Sequence, residues 1–131
     1  MLNVASDLLY FVGLDTLKPG PLQDKRVRQA LNYAIDADAM QRALLNGLGE
    51  RIAVTLPRSA FGYDDTIKPY PYDPARAKQL LAEAGYPNGF KIPLITRQGR
   101  YLKDKEVTQA VAGYLARIGV EVELRYVEAG V

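Results

Sequence analysis

The sequence predicts an α/β (α+β) domain, with a small sheet of about three strands and about four helices in the order β-α-α-loop-α-β-α-β. Three observations predict this class. Aspartates precede apolar stripes of helical spacing, two segments near the C-terminus alternate apolar and polar residues, and one apolar run lies near the N-terminus. A chain of 131 residues can bury a core of its own, so residues 1–131 are expected to form a single domain.

The first third of the chain is predicted to hold one strand and two helices. Residues 4–14 are rich in Val, Leu, Tyr and Phe on both faces, which is typical of a strand buried on both sides. Asp24 is a good N-cap for a first helix and Asp36 for a second, which Gly47 is expected to end. The apolar positions of the first helix share one face, namely Val27, Ala30, Leu31, Ala34 and Ile35.

The middle of the chain combines a long loop with a third helix. Residues 49–72 have no helical period and contain several prolines, which indicates an extended surface loop. Its aromatic side chains either line a pocket or anchor the loop on the body, and we favour anchoring. These residues are Phe61, Tyr63, Tyr70 and Tyr72. Asp73 followed by Pro74 is a strong helix start, and Gly85 ends that helix.

The C-terminal third predicts a strand–helix–strand unit. Residues 90–96 alternate, and Pro93 indicates an edge position because proline cannot donate to a strand ladder. Asp104 is expected to cap a fourth helix, and residues 120–126 alternate again as a strand with one wet face. The apolar stripe of the helix consists of Val107, Ala110, Val111, Tyr114, Leu115 and Ile118. If the strands are parallel, the crossover is expected to be right-handed.

The composition excludes several classes of site. The chain has no cysteine and no histidine, which removes disulfides, thiol metal sites and the commonest general base. We therefore expect no cofactor and no metal. A formal net charge of +2 gives no strong attraction to nucleic acid or membrane. The N-terminus lacks a basic region and Asp7 interrupts its apolar run, so no signal sequence is expected in this chain.

Two other functions have weak support. An acid–base enzyme would use Asp64 and Asp65, but the side chains of neighbouring residues point apart, and a solvated turn explains the pair. A small DNA- or protein-interaction module would use the helix pair of residues 24–46, whose second helix offers only Arg42 as a basic residue. The helix pair is the stronger of these two alternatives, and no nucleic-acid partner is expected.

A basic loop after the strand of residues 90–96 is the best candidate for a binding site. Ligands gather at the carboxyl ends of strands in sheets built from strand–helix–strand units. Arg97 and Arg100 can each bind a carboxylate bidentately, and Tyr101 offers a hydroxyl or a stacking face. The N-terminus of the following helix adds a dipole that favours an anion. On the residues alone, a solvated basic loop is an equally good interpretation.

Two blocks, residues 21–49 and 72–94, and a shorter stretch near residue 119 carry an ordered set of short motifs. The set is Pro21-Leu22, Asp24, Arg26-Val27-Arg28-Gln29-Ala30-Leu31, Tyr33-Ala34-Ile35-Asp36, Asn46-Gly47, Tyr72-Asp73-Pro74, Ala77, Leu80-Leu81, Ala84-Gly85, Gly89-Phe90 and Ile118-Gly119-Val120. In this order and spacing, the motifs resemble the family 5 extracellular solute-binding proteins of ABC importers, the dipeptide, oligopeptide and nickel binders.

The resemblance implies a binding module rather than an enzyme. Such proteins have two lobes that close on a ligand by a hinge motion, in a periplasmic-binding-protein-like type II fold. They are far longer than 131 residues, so this chain is expected to be a partial C-terminal lobe that cannot enclose a ligand alone. The implied location of the parent protein is the periplasm or the cell surface.

The resemblance also implies partners and a site. The implied partners are a small peptide-like ligand and an ABC permease in the membrane, and an exposed apolar face is expected to favour self-association of the fragment. In dipeptide-binding relatives, an arginine of the matching loop meets the carboxylate of the ligand. The matching position here is Arg100, with Arg97 and Tyr101 as neighbours. Asp15 stands where relatives often have Asn.

Overall fold

The computed structural model describes residues 9–99 and 101–128. Among these residues a short 3-10 turn, four helices and two strands follow one another. Their bounds are Pro21–Gln23 for the turn, Lys25–Tyr33 (α1), Ala37–Leu44 (α2), Pro74–Glu83 (α3), Phe90–Gln98 (β1), Asp104–Arg117 (α4) and Val120–Glu128 (β2). None of the helices in this part of the chain is long and apolar enough to cross a membrane.

The first three helices begin where the sequence predicts. The carboxylates of Asp24, Asp36 and Asp73 each accept a hydrogen bond from a backbone N–H in the first turn of their helix, at 2.8, 2.9 and 3.0 Å. Each bond satisfies a donor that the helix itself leaves without a partner. At the end of α2 the chain turns through two left-handed residues, Asn46 and Gly47, of which only the glycine was predicted.

The predicted cap of α4 is wrong by one position. Lys103 occupies the N-cap with a left-handed φ of 58°, and Asp104 is the first helical residue. The buried face of the helix differs from the predicted stripe, since it includes Asp104 and Thr108 as well as Leu115 and Ile118. The left-handed turn at Lys103 directs the chain so that the Asp104 carboxylate faces the preceding loop.

β1 and β2 form a two-stranded parallel sheet, in register from Phe90 opposite Val120 to Gln98 opposite Glu128. α4 is the crossover between them and packs on both strands. β1 is two residues longer than predicted, because its pairing extends beyond the apolar alternation. Both strands of the pair have an edge, which agrees with the edge position predicted for Pro93.

The first strand predicted, over residues 4–14, is absent from the part that the structure describes. Residues 9–14 form no strand, and residues 4–8 lie outside the described residues. The three-stranded sheet is therefore not confirmed. The apolar pattern predicted burial on both sides, but Phe11 is 68% exposed. The segment contacts the body through the side chains of Tyr10 and Leu14 instead of through a backbone ladder.

The core lies where α1 packs on α3 and where α4 meets the sheet. Burying these apolar side chains is the main source of the stability of the fold. The buried side chains are Val27, Ala30, Leu31, Ala34, Ala77, Leu80, Leu81, Leu115, Ile118 and Val120.

The long loop predicted over residues 49–72 is confirmed, since residues 45–73 contain no helix and no strand. Two of its aromatic rings anchor it: Tyr70 packs edge-on against Tyr33 at 5.0 Å, and Tyr72 against Tyr114 at 5.9 Å between ring centroids. Anchoring fails at Phe61, whose side chain is 105% exposed. The loop is therefore held near its end and open at its middle.

Candidate functional site

The candidate site lies at the carboxyl end of β1, where residues 99–103 connect the strand to α4. Two threonines draw the ends of this loop together. The hydroxyls of Thr96 on β1 and Thr108 on α4 lie 3.3 Å apart, and Thr108 donates to the backbone carbonyl of Asp104 at 2.6 Å. These contacts hold the end of β1 and the first turns of α4 together at the base of the loop.

Arg97 is the penultimate residue of β1 and lies opposite Val127. It is exposed, and the alternation of the strand places it on the face that carries Lys91 and Ile95, away from α4. Its guanidinium makes no ion pair or hydrogen bond with the residues that the structure describes. Arg97 is therefore available to an anionic ligand at the end of the sheet.

Tyr101 begins the return of the loop toward α4 and is half-buried. Its ring packs edge-on against Tyr10, with ring centroids 5.5 Å apart and an interplanar angle of 66°. Arg97 thus lies just before the loop, as a residue of β1, and Tyr101 lies within the loop. Arg100 lies outside the described residues, so its assignment to the site stays a prediction.

The first turn of α4 already has a carboxylate, which the sequence did not indicate. Asp104 is 8% exposed, and its carboxylate accepts hydrogen bonds from the backbone N–H of Tyr101 at 3.2 Å and of Lys105 at 2.7 Å. The open anion-binding helix end that was expected is therefore occupied by a side chain of the protein itself. The Asp104 carboxylate thus takes up backbone donors at the start of α4.

Tyr10 is a part of this site that sequence reasoning missed. Its hydroxyl donates to the backbone carbonyl of Leu102. The pKa of the Tyr10 hydroxyl is raised, first by burial, then by the nearby negative charge of Asp104 and by Tyr101. A tyrosine in an apolar run is typical of a strand, and no local pattern could indicate a contact with a residue 92 positions away.

Two shallow clefts lie outside this loop. One, of about 350 Å³, is lined by residues 13–15 and 18–22 together with Ile92, Pro93 and Ile95 of β1. The other, of about 390 Å³, lies at the opposite end of the sheet, between the ends of α3 and α4, and includes Lys78 and Arg117. Neither cleft includes Arg97 or Tyr101.

The two aspartates weighed as acid–base residues have structural roles. The Asp64 carboxylate accepts from the hydroxyl of Thr66 at 2.6 Å and from its N–H at 2.9 Å, and these bonds hold the pKa of Asp64 below its ordinary value. Asp65 supplies a backbone carbonyl to Lys68. Within the described residues, no cluster of acidic side chains is suited to hold a metal ion.

The cations of the helix pair are also engaged locally. Arg26 donates to Asp24 at 2.7 Å and to the carbonyl of Glu83 at 2.7 Å, which ties α1 to the end of α3. Arg28 donates to the carbonyls of Leu22 and Gln23, both at 2.9 Å. These hydrogen bonds within the domain explain Arg26 and Arg28 without an interaction with a partner.

An exposed arginine at the carboxyl end of a parallel strand–helix–strand unit is typical of a protein that binds a small ligand. Residues 2–131 match the family described as bacterial extracellular solute-binding proteins, family 5 Middle. The chain belongs to this family of solute-binding proteins of ABC importers, whose members are binding proteins and not enzymes.

Three relatives show the extent of the likeness. Heme-binding protein A of Haemophilus influenzae is 41% identical over 125 residues, 92% of this chain and 21% of that protein. The glutathione-binding protein GsiB of Pectobacterium atrosepticum is 41% identical over 110 residues, 84% of this chain and 21% of that protein. The periplasmic binding protein DppA of Helicobacter pylori, in complex with the peptide STSA, has a TM-score of 0.72 and 34% identity over 81% of this chain and 21% of that one. The chain thus spans about a fifth of the length of these relatives.

Proposed function

We propose that these residues form a partial C-terminal lobe of a periplasmic or cell-surface solute-binding protein, which captures a small peptide-like ligand for an ABC permease. The observation that carries the proposal is the family match over residues 2–131. A second copy of the chain is a further proposed partner, since Phe11 and Leu17 are 68% and 91% exposed and leave apolar area in water.

The chemistry of the relatives' ligands supports a carboxylate-bearing ligand. Haem, glutathione and peptides, which the names of the three relatives print, differ in size but each carries at least one carboxylate. Arg97 presents a guanidinium without a partner among the described residues, and a guanidinium can hold a carboxylate by two parallel hydrogen bonds.

The proposal is tested by titrating the full-length parent protein with the dipeptide Met-Leu, glutathione and haem. We expect at least one ligand to bind with a dissociation constant in the nanomolar to micromolar range. Arg100→Ala and Arg97→Ala are expected to weaken that binding about 10-fold or more, because each removes a charge-assisted hydrogen bond.

Arg42→Ala is the matched control, because Arg42 is an exposed arginine that belongs to α2 and not to the loop. Unchanged affinity in the Arg97 and Arg100 variants would remove this loop from the ligand site. A parent protein that binds none of the three ligands would contradict the proposed ligand class.

A further inference from the structure

Tyr10 joins the N-terminal segment to the candidate ligand loop through two contacts. Its hydroxyl donates to the backbone carbonyl of Leu102, and its ring packs edge-on against the ring of Tyr101, 5.5 Å away. The two partners are neighbours in the chain, so one side chain holds both the backbone and the ring of the loop. A single hydrogen bond would leave the loop free to pivot, whereas this pair of contacts fixes its orientation.

The loop is held from its other side by α4. The carboxylate of Asp104 accepts from the backbone N–H of Tyr101 at 3.2 Å, and Lys103 adopts a left-handed φ of 58° that is unfavourable for a residue with a side chain. Three consecutive residues are therefore constrained by different means. The contacts of Tyr10 and Asp104 offset the unfavourable backbone of Lys103, so that loss of one of them allows the loop to relax.

The segment that carries Tyr10 continues beside β1. From residue 13 onward it lines one cleft together with Ile92, Pro93 and Ile95 of the strand. The segment therefore extends from the loop, which Tyr10 contacts, to a position beside the middle of β1. This course makes Tyr10 a connection between the body of the sheet and the tip of the loop.

We propose that Tyr10 is a positioning residue of the ligand loop, acting through Tyr101 and Leu102; this inference rests on the proposed function, in which that loop binds the ligand. Tyr10 holds the loop in one conformation before the ligand arrives. A loop that is ordered in advance loses less entropy on binding, and the ligand is then held more tightly. Removing the hydroxyl keeps the ring contact and deletes only the bond to Leu102.

The first test measures the loop without ligand. In the ligand-free full-length parent, hydrogen–deuterium exchange of the amides of residues 101–103 is compared between the wild type and Tyr10→Phe. We expect exchange to become about 3- to 10-fold faster, as for the loss of one neutral hydrogen bond. Tyr10→Ala should accelerate it further. Tyr86→Phe is the matched control, because Tyr86 packs on Phe90 at the other end of β1.

The second test measures binding of the probe from the Met-Leu, glutathione and haem panel that the wild type binds. Tyr10→Phe is expected to raise the dissociation constant about 3- to 10-fold at an unchanged Tm. In an Arg97→Ala background, Tyr10→Phe should raise the dissociation constant by a smaller factor, because the site then lacks one of the side chains proposed to bind the ligand. A residue with only a structural role would show the same effect in both backgrounds.

Unchanged exchange at residues 101–103 in Tyr10→Phe overturns the proposal whether or not any probe binds. Faster exchange with an unchanged dissociation constant also overturns the proposal, because the ordering of the loop by Tyr10 then does not contribute to ligand binding. If no probe binds, the proposed function fails, and the exchange result alone decides whether Tyr10 holds the loop.

Discussion

At the scale of single residues, two backbone segments approach each other closely where both strands begin. Gly89 immediately precedes β1 and Gly119 immediately precedes β2, and the two residues are adjacent in space. A Cβ atom added at Gly89 would lie 1.8 Å from the carbonyl oxygen of Gly119, and Gly89 has a φ of 75°. A glycine is therefore required at position 89 for two reasons: a Cβ atom has no space there, and the backbone is left-handed.

Gly89→Ala is expected to lower the free energy of unfolding by roughly 3 kcal/mol or more, because it combines backbone strain with a clash against main-chain atoms that cannot rotate away. Urea unfolding of the purified protein measures the change. Gly113→Ala is the control: this glycine lies within α4 with open space around it. There alanine should raise stability by about 0.5–1 kcal/mol. Equal unfolding midpoints for the two variants would contradict the prediction.

The turn at Gly89 could be predicted from the sequence, but the contact could not. Pro87, Asn88 and Gly89 form a local pattern that indicates a turn. Gly119 lies thirty residues further along the chain by their numbers, and only the parallel register of β1 and β2 brings the two together. A pairing between distant residues depends on the whole fold and leaves no local signal.

At the scale of the elements, α3 depends on its start. The carboxylate of Asp73 accepts from the N–H of Arg76 at 3.0 Å, and Pro74 supplies a first helical residue that needs no N–H partner. The buried residues of α3, among them Leu80 and Leu81, pack against α1. The cap therefore helps to fix one side of the core.

Asp73→Ala is expected to lower the free energy of unfolding by about 1 kcal/mol, because it leaves a backbone donor of the first turn without its side-chain acceptor. Asp73→Asn retains an acceptor and should restore most of that loss. Thermal unfolding followed by circular dichroism checks both variants. A loss in Asp73→Asn as large as in Asp73→Ala would show that the carboxylate charge matters more than the hydrogen bond.

The helices were predicted better than the sheet for a physical reason. A helix cap such as Asp24, Asp36 or Asp73 acts within four residues, so its signal is contained in the sequence. A strand needs a partner, and the apolar run of residues 9–14 has no strand partner in the described part of the chain. The position of α4 was missed by one residue because Lys103 adopts a left-handed backbone that propensity disfavours.

The candidate site, like the fold, was predicted only in part. The location of the loop after β1 and the exposure of Arg97 follow from local pattern, and the structure agrees with them. The carboxylate of Asp104 in the first turn of α4 and the contact of Tyr10 with Leu102 depend on the path of the chain in space. The binding role of Arg97, Arg100 and Tyr101 stays a prediction, and sequence reasoning missed the residues that hold the loop.

At the scale of the whole molecule, the charges predict how stability depends on pH. Several carboxyl groups have a pKa below the ordinary value because they accept hydrogen bonds in the folded state. In each case the first cause is a specific donor: the backbone N–H of Leu17 for Asp15, the side chain of Arg26 for Asp24, the hydroxyl of Thr66 for Asp64 and the side chain of Arg125 for Glu123.

A lowered pKa stabilises the fold at any pH above the pKa of the unfolded chain, which is about 4 for these groups. That contribution is lost as the pH falls through the lower pKa of the folded state. We therefore expect stability to be nearly constant between about pH 5 and pH 8, where a chain without histidine has few groups to titrate, and to fall below about pH 4.

Urea midpoints at a series of pH values between 2 and 8 test this expectation. Asp24→Asn keeps a capping side chain but removes the charge, so its stability should fall less steeply than that of the wild type below pH 4. Parallel curves for the two proteins would show that the Asp24–Arg26 contact, at 2.7 Å, does not contribute to the acid sensitivity.

The N–H of Asp73 donates to the carbonyl of Tyr33 at 2.8 Å, which joins the start of α3 to the end of α1. The stretch between these residues, which includes α2, therefore starts and ends at neighbouring points, so the length of its loop need not affect the packing of α1 on α3. Lengthening the loop costs little free energy, because the entropy lost on loop closure grows only with the logarithm of the loop length. The exposed middle of the loop, near Phe61, is therefore the place where a protein engineer could insert a tag or attach a dye without disturbing the core.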